Sequence, residues 1–286
     1  MPQISSRLAI DLSGPLVRIV DGVMGGVMRC GSGSVPDSAM THGKIIDRQA
    51  VGQVVKQLVA RTEITETKAF VAVSDAVATF RVLRLPGAAS DEDVTATVAK
   101  ELPLDPERLA TRWLDVGPRG EHRTVYAAAW DRAPVKEATE ALRLAGLEPV
   151  AVELKSASVA RATMLASCVV IDLTSDPVEV FLIDRNVPHV WHAVAATLNP
   201  EDVSQTLGAP LRAVLRFYRR HSGHDLPSTS PVLVSGEQAL PVQALDRLAQ
   251  QAEHPVLAMP APARVPANVR HATYLACLGL LMRRAS

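Results

Sequence analysis

The feature that most constrains this chain is a repeat. Residues 8–21 read LAIDLSGPLVRIVD and residues 169–184 read VVIDLTSDPVEVFLID. Placing Leu8-Ala9-Ile10-Asp11-Leu12-Ser13 over Val169-Val170-Ile171-Asp172-Leu173-Thr174 matches an Ile-Asp-Leu core and puts a hydroxyl residue after it. A proline follows in each copy, then an apolar strand and another aspartate, Asp21 and Asp184. A short apolar-Asp-Leu match is cheap, because any buried strand ending in a turn can produce it. A match that carries through the turn and the second strand is more specific, and repeats set architecture. The chain, at 286 residues, is long enough for two domains of ordinary size, each opening with this hairpin.

Aromatics make up only 3% of a chain that is 48% hydrophobic, so the core must be built from Val, Leu, Ile and Ala. Such residues suit central strands and close helix-on-sheet packing. Lys plus Arg and Asp plus Glu balance at 30 each, which leaves no global electrostatic footprint for nucleic acid or an anionic membrane. RFYRR (216–220) is the one obvious basic cluster, and at helical spacing it reads as a solvated face. Cys30, Cys168 and Cys277 form no CxxC, so neither zinc nor a redox motif is indicated. A sparse, odd set fits a reducing cytosol. The N-terminus lacks a long apolar stretch, and YLACLGLLM (274–282) is too short to span a bilayer. The expectation is a soluble, cytoplasmic chain.

The pattern along the chain is strand-rich at first. After the hairpin comes a strand near Val27–Cys30, and then a helix with Val51, Val54, Val55, Leu58 and Val59 on one face. A buried strand follows at Ala69–Val73. From Ala76 the pattern changes: ATFRVLRLP alternates, Ser90-Asp91-Glu92-Asp93 opens a helix with its cap and first-turn acids, and two strands follow near Leu109–Val116 and Thr124–Trp130. This block reads as a small α+β subdomain inserted in the first lobe. A helix starting at Pro134 and ending at Gly146, the strand PVAVEL, and a helix near Ala157–Ala166 complete that lobe. The second lobe holds the repeat, a strand near Val187–Trp191 and a helix from Asn199-Pro200, split or kinked at Gly208–Pro210. Strand PVLVSG, a helix over 239–252, strand PVLAM and a last helix near 269–284 close it. The expected domains are 1–75 with 131–166 for the first lobe, 76–130 for the inserted subdomain, and 167–286 for a reduced second lobe.

A duplicated lobe opening with apolar-Asp, and a late strand ending in Ser-Gly, resembles the actin, Hsp70 and sugar-kinase superfamily. Within its FtsA/PilM branch the sequence resembles PilM, the actin-like component of type IV pilus assembly. LAIDLSGPLVRIVD is similar to the opening phosphate loop and DSAMTHGKIID to the loop after it. RVLRLPGAASDEDVTATVAKELPLD resembles the inserted SHS2-like subdomain, and ALRLAGLEPVAVELKSASVAR the passage into the second lobe. VVIDLT, VLVSGEQAL and YLACLGLLMRR resemble the second phosphate loop, the adenosine segment and the closing helix. The resemblance covers nearly the whole chain. It implies a two-lobed, actin-like (RNase H-like) α/β fold. Its nucleotide-binding positions fall on Asp11, Ser13, Gly14, Asp172, Thr174, Ser235 and Gly236, with Asp11 and Asp172 holding magnesium through water.

The departures are as informative. Pro15 removes an N–H donor from the first turn. The second turn reads Thr174-Ser175-Asp176-Pro177, without glycine. Asp176 adds negative charge where a triphosphate would sit, and one such repulsion at about 4 Å costs roughly 4 kcal/mol at an effective dielectric of about 20. Glu237 stands where the family usually has a second glycine after Gly236, and the stretch from Asp184 to Asn199 is short. The expectation is a degenerate cleft: a pseudo-ATPase scaffold of a type IV pilus or related secretion platform, with no ATP or magnesium cofactor. As the resemblance implies, it would bind the N-terminal tail of a PilN-like inner-membrane protein through a groove within residues 1–150. It would be peripheral to the membrane through that partner, with a homo-oligomer also open and no nucleic acid bound.

The alternative is an active ATPase or kinase of the same superfamily, acting through Asp11 and Asp172. An FtsA-like role would require a membrane helix after the last domain helix, for which Arg283–Ser286 leaves no room, and a GspL-like cytoplasmic domain would continue into a membrane span. Other chemistry is weaker. Gly43-Lys44 lacks the P-loop context. His189/His192 and His221/His224, the latter near Asp225, are HxxH pairs whose expected positions, on a strand and at a helix end, do not favour shared ligation. No Gly-x-Ser-x-Gly elbow occurs.

Overall fold

In the computed structural model, the described residues are all except 1–5, 24–25, 103–104, 119, 175–176, 196–202, 237–241, 263, 267 and 284–286. Helix α5 is described without the side chains of its first two residues, and α6 without that of its first. The chain opens with β1 (Arg7–Asp11), β2 (Leu16–Val23) and β3 (Gly26–Ser34). A two-residue ladder, β4 (Met40–Thr41) with β5 (Lys44–Ile45), precedes helix α1 (Arg48–Arg61), which Asp47 caps through the amides of Gln49 and Ala50. Strand β6 (Lys68–Val73) returns to the first sheet.

The inserted unit follows: β7 (Ala78–Pro86), α2 (Asp91–Glu101), β8 (Leu109–Asp115) and β9 (His122–Asp131). Its strands form a separate sheet in the order β7-β9-β8. Val94, Val98 and Leu102 of the α2 segment pack on Leu85, Val125 and Ala127. A reciprocal capping box between Ser90 and Asp93 fixes the start of α2. Arg123, 1% exposed, binds Asp91 and Asp115 and the Ala89 carbonyl, tying that helix start to the sheet.

The chain then re-enters the first lobe through α3 (Arg132–Leu144) and β10 (Glu148–Leu154), and continues as α4 (Lys155–Ala162). The second lobe comprises β11 (Cys168–Asp172), β12 (Val178–Asp184), β13 (Val187–Val194), α5 (Val203–Ser222), β14 (Val232–Ser235), α6 (Val242–Ala252), β15 (Val256–Ala258) and α7 (Leu275–Leu281). The two main sheets run β3-β2-β1-β6-β10 and β13-β12-β11-β14-β15. Each is a three-stranded antiparallel meander extended by two parallel strands on the far side of the opening strand. The lobes thus share one topology, as the repeat requires.

Their helices cross over. Helix α4 follows the first sheet in sequence, yet Val159, Ala160 and Ala162 pack with Cys168, Val170, Phe181 and Ile183 of the second. Helix α7, the last described element, packs Ala276, Cys277, Leu280 and Leu281 against Ala9, Val20 and Ala72 of the first. The outer faces form separate cores, around Val51, Val55, Leu58 and Leu142 in one lobe and around Leu207, Leu211, Val214 and Tyr218 in the other.

Several details differ from the expectations. Asp131 caps α3 through the Ala133 amide, so the helix begins two residues before Pro134. Helix α4 starts at Lys155 rather than near Ala157. Of the split or kink expected at Gly208–Pro210, the split does not occur: α5 is one element with Pro210 inside it, because Leu207, Leu211, Val214 and Tyr218 hold both sides of the proline on the same apolar stripe. The closing segment is a tight turn of helix at His271–Tyr274 followed by α7, because Tyr274 departs from helical geometry (φ −107°, ψ 22°). Asn199-Pro200, Asp176 and Glu237 lie outside the described residues. In the strand register Leu8 faces Asp21 and Val169 faces Leu182, so Asp184 is not the counterpart of Asp21.

The α4–α7 crossing depends on Gly279, where an added Cβ would lie 1.8 Å from the Ser158 carbonyl oxygen. Gly279→Ala is expected to cost more than about 2 kcal/mol in urea denaturation, since backbone must move to admit the methyl. Gly120→Ala, which meets open space, should stay within about 0.5 kcal/mol.

Candidate functional site

The two opening hairpins end in the same local structure. Asp11 terminates β1, and its Oδ1 accepts from the Ser13 amide (2.9 Å) and the Ser13 hydroxyl (2.6 Å). Asp172 terminates β11, and its Oδ1 accepts from the Thr174 amide (2.9 Å) and hydroxyl (2.6 Å). Aspartate favours such turns because its short side chain reaches the amide two residues on. Both aspartates are buried, 3% and 2% exposed. Each therefore spends one oxygen on its own turn.

Each presents the second oxygen to a cation from the same chain. Strand pairing sets Arg18 opposite Asp11 and Glu179 opposite Asp172. The Arg18 guanidinium lies 3.6 Å from Asp11 Oδ2 and donates across to the Thr174 carbonyl (2.9 Å) in the other lobe. Lys155, the first residue of α4, places Nζ 2.6 Å from Asp172 Oδ2 and 2.6 Å from Glu179 Oε2. The other Glu179 oxygen accepts from Trp191 Nε1 (2.8 Å). Lys155 is 1% exposed. Burial alone would lower its pKa, but the charges of Asp172, Glu179 and Asp11 outweigh that and hold it well above the ordinary lysine value. Asp172 is pushed the opposite way: burial would raise its pKa, and Lys155, Thr174 and Arg18 together hold it below the usual carboxylate range.

Beneath this pair sits Asp75, fully buried, accepting from the Ser156 amide (2.9 Å) and the Ser156 hydroxyl at the start of α4. Burial pushes its carboxyl up to about 7, against the lowering effect of the Ser156 hydroxyl bond.

The remaining positions are placed as follows. Gly14 is partly exposed beside Ser13, with open space around it. Ser235 Oγ donates to the Ala272 carbonyl (2.6 Å), and Gly236 (φ +141°) lies so close to Leu173 that a Cβ there would come within 2.8 Å. The structure thus brings Asp11, Ser13, Asp172 and Thr174 to the facing ends of two hairpins bridged by Arg18, and sets Ser235 beside Asp172 in the ladder. A magnesium–nucleotide complex needs carboxylate oxygens open to water-bound metal and free turn amides. As arranged, the residues do not fit that group: the Ser13 and Thr174 amides bond their own aspartates, and both carboxylates are buried against side-chain cations. Among the described residues no three His, Cys, Asp or Glu side chains are grouped to hold a metal ion. His224 Nε2 bonds Tyr218 Oη (2.8 Å), and His221 bonds the Phe217 carbonyl and stacks on its ring. His189 sits edge-on to Tyr218.

Sequence reasoning missed Lys155, Arg18, Glu179 and Asp75. A signal existed: Arg18 in LVRIVD and Glu179 in PVEVFLID are charges inside otherwise apolar strands. A buried charge needs a partner.

No family model matches the sequence, and no curated protein matches it. Solved structures do match by fold. A chain of the PilM–PilN type IV pilus biogenesis complex superposes with a TM-score of 0.76 at 17% identity, covering 98% of each chain. The ethanolamine utilization protein EutJ of Carboxydothermus hydrogenoformans matches with a TM-score of 0.57 at 13% identity, over 99% of this chain and 90% of that one. The cytoplasmic domain of EpsL, an inner-membrane component of the type II secretion system of Vibrio cholerae, gives 0.52 at 14%, over 87% and 94%. The chain has the two-lobed, actin-like α/β fold. Its particular form, with the inserted subdomain, is similar from end to end to the chain of the PilM–PilN complex.

Asp75 provides a pH test. Its carboxyl titrates near 3.8 when unperturbed and near 7 in the fold, so between those values the folded chain binds more protons than the unfolded one. Stability from this group therefore falls as pH rises from about 4 to about 7, by at most about 4 kcal/mol. In urea denaturation at stepped pH, Asp75→Asn should flatten that decline relative to the wild type.

Proposed function

We propose that this chain is a PilM-like scaffold of a type IV pilus or related secretion assembly platform, which holds the N-terminal tail of a PilN-like inner-membrane protein and does not hydrolyse ATP. The observation that carries the reading is the end-to-end similarity to a chain of the PilM–PilN complex. The likeness to the EpsL cytoplasmic domain is consistent with it. So is the absence, among the described residues, of any helix long and apolar enough to cross a membrane: attachment to a membrane protein would localise such a chain without a span of its own.

A groove suited to an extended peptide lies where the inserted sheet meets the first lobe. It encloses about 370 Å³ and is lined by Lys44, Val77, Thr79, Asp105, Arg108 and Leu109, among others. Val77 and Leu109 supply apolar surface, and Lys44 and Arg108 with Asp105 and Asp131 supply charge of both signs. The Arg108–Asp131 pair (3.0 Å) borders it. The groove crosses one end of the inserted sheet, with Ala78 and Thr79 of β7, Leu109 of β8 and Ala129 and Asp131 of β9 along it. Its mix of apolar and charged side chains would select among peptide sequences.

Calorimetry with N-terminal peptides of inner-membrane proteins encoded beside this chain tests the reading. One of them is expected to bind. Thr79→Arg combined with Leu109→Arg should weaken it at least about tenfold, roughly 1.4 kcal/mol, with an unchanged melting temperature. If no such peptide binds the wild type, the reading fails.

A further inference from the structure

We infer that Lys155 and Arg18 take the place of a divalent cation between the two hairpins, so that the chain carries the cleft's positive charge on its own side chains and uses it to strap the lobes together. The inference deepens the non-hydrolysing part of the proposed function and is independent of the peptide.

The carboxylates show the replacement. Asp11 and Asp172 sit at equivalent ends of equivalent strands, and each keeps the same turn on its Oδ1. Each Oδ2 is thereby aimed away from its turn, and in both lobes it meets nitrogen: Arg18 in one, Lys155 in the other. The Lys155 ammonium has two carboxylate oxygens at 2.6 Å, the upper end of the range in which calcium takes oxygen ligands and longer than magnesium prefers. It is held there from behind, because the amide of the next residue, Ser156, is fixed to Asp75.

The two cations also connect what the β-ladders leave separate. Arg18 belongs to the first sheet and grips the Thr174 carbonyl of the second lobe. Lys155 follows directly from the first sheet's edge strand β10 and is bound by Asp172 and Glu179, both on the second sheet. A hydrated metal between Asp11 and Asp172 could be lost to solvent, whereas two buried side chains cannot.

Removing the ammonium should restore the demand for a metal. Lys155→Ala leaves Asp172 and Glu179 facing one vacated point, while Lys155→Met fills that point with an uncharged chain of similar length. Melting temperatures would be measured with ethylenediaminetetraacetate, and then with millimolar magnesium, manganese or calcium chloride. The wild type and Lys155→Met are expected to be indifferent to the metals. Lys155→Ala should be less stable, or unfolded, in chelator and should gain about 5 °C or more, or refold, with at least one metal. Lys155→Ala combined with Asp172→Asn should lose that response. A Lys155→Ala protein indifferent to every metal, folded or not, overturns the inference. So does a wild type whose melting temperature is raised by magnesium–ATP, with the rise lost in Asp11→Ala. Neither result bears on peptide capture, which calorimetry reads separately.

Discussion

The buried contact of Lys155 with Asp172 and Glu179 is the interaction on which the rest of the structure leans. An ammonium, three carboxylates and a guanidinium buried together are costly to desolvate. Such groups persist only with close partners and with most of their remaining hydrogen bonds satisfied; Arg18 Nε is the exception, buried with no hydrogen-bond partner. Here Asp172 is completed by Thr174, Glu179 by Trp191, and the helix start that carries Lys155 by Asp75. A lysine at a helix N-terminus also opposes the helix dipole, so the carboxylates must offset that as well. A well-packed apolar cluster would have been no less stable. What the charged set provides is a connection between the lobes, because its partners come from the β10–α4 junction on one side and β11–β12 on the other.

The crossing helices supply the apolar counterpart of that connection. The last helix of each half packs on the other half's sheet, so neither sheet has its inner face covered by its own segment alone. Ser158 and Gly279 allow the two helices to touch at backbone distance. The inserted subdomain has a separate core and its own buried cation, Arg123, whose carboxylate partners bind helix to sheet within that unit. Cohesion between lobes and cohesion within the insert thus rest on different residues.

Much of this fold was legible because its signals are local. The duplicated hairpin exposed the two-lobe plan, and SerAspGluAsp at 90–93 announced a capped helix that the structure forms with both reciprocal bonds. The errors have physical causes. Asp21 and Asp184 were matched as the acid that ends each second strand, although they stand at different distances from Asp11 and Asp172, and the register shows that they are not counterparts. A split at Gly208–Pro210 was one of two expectations, the other being a kink in a helix that continues; the stripe of Leu207, Leu211, Val214 and Tyr218 carries a single helix past the proline. At the cleft the two aspartates and their hydroxyl neighbours were legible from the repeat. The cations were not: Lys155 meets its partners only when a helix start and two strands distant in sequence converge.

Those cations alter what the prolines and the missing glycine mean. Read from sequence, Pro15 and the glycine-free second turn were losses of phosphate-binding donors. In the structure two of the turn donors, the Ser13 and Thr174 amides, already serve the aspartates. Neither turn then needs to keep an open row of amides, and proline, which fixes φ at no cost where no N–H is used, becomes a compatible residue. On the inference drawn above, the sequence changes and the buried cations would belong together, as parts of a cleft whose charges are balanced by its own side chains. In the function we propose, that closure would keep the two lobes together without a bound metal, while the peptide groove, lined by the first lobe and its insert, would owe its shape to the insert's own core and its buried Arg123.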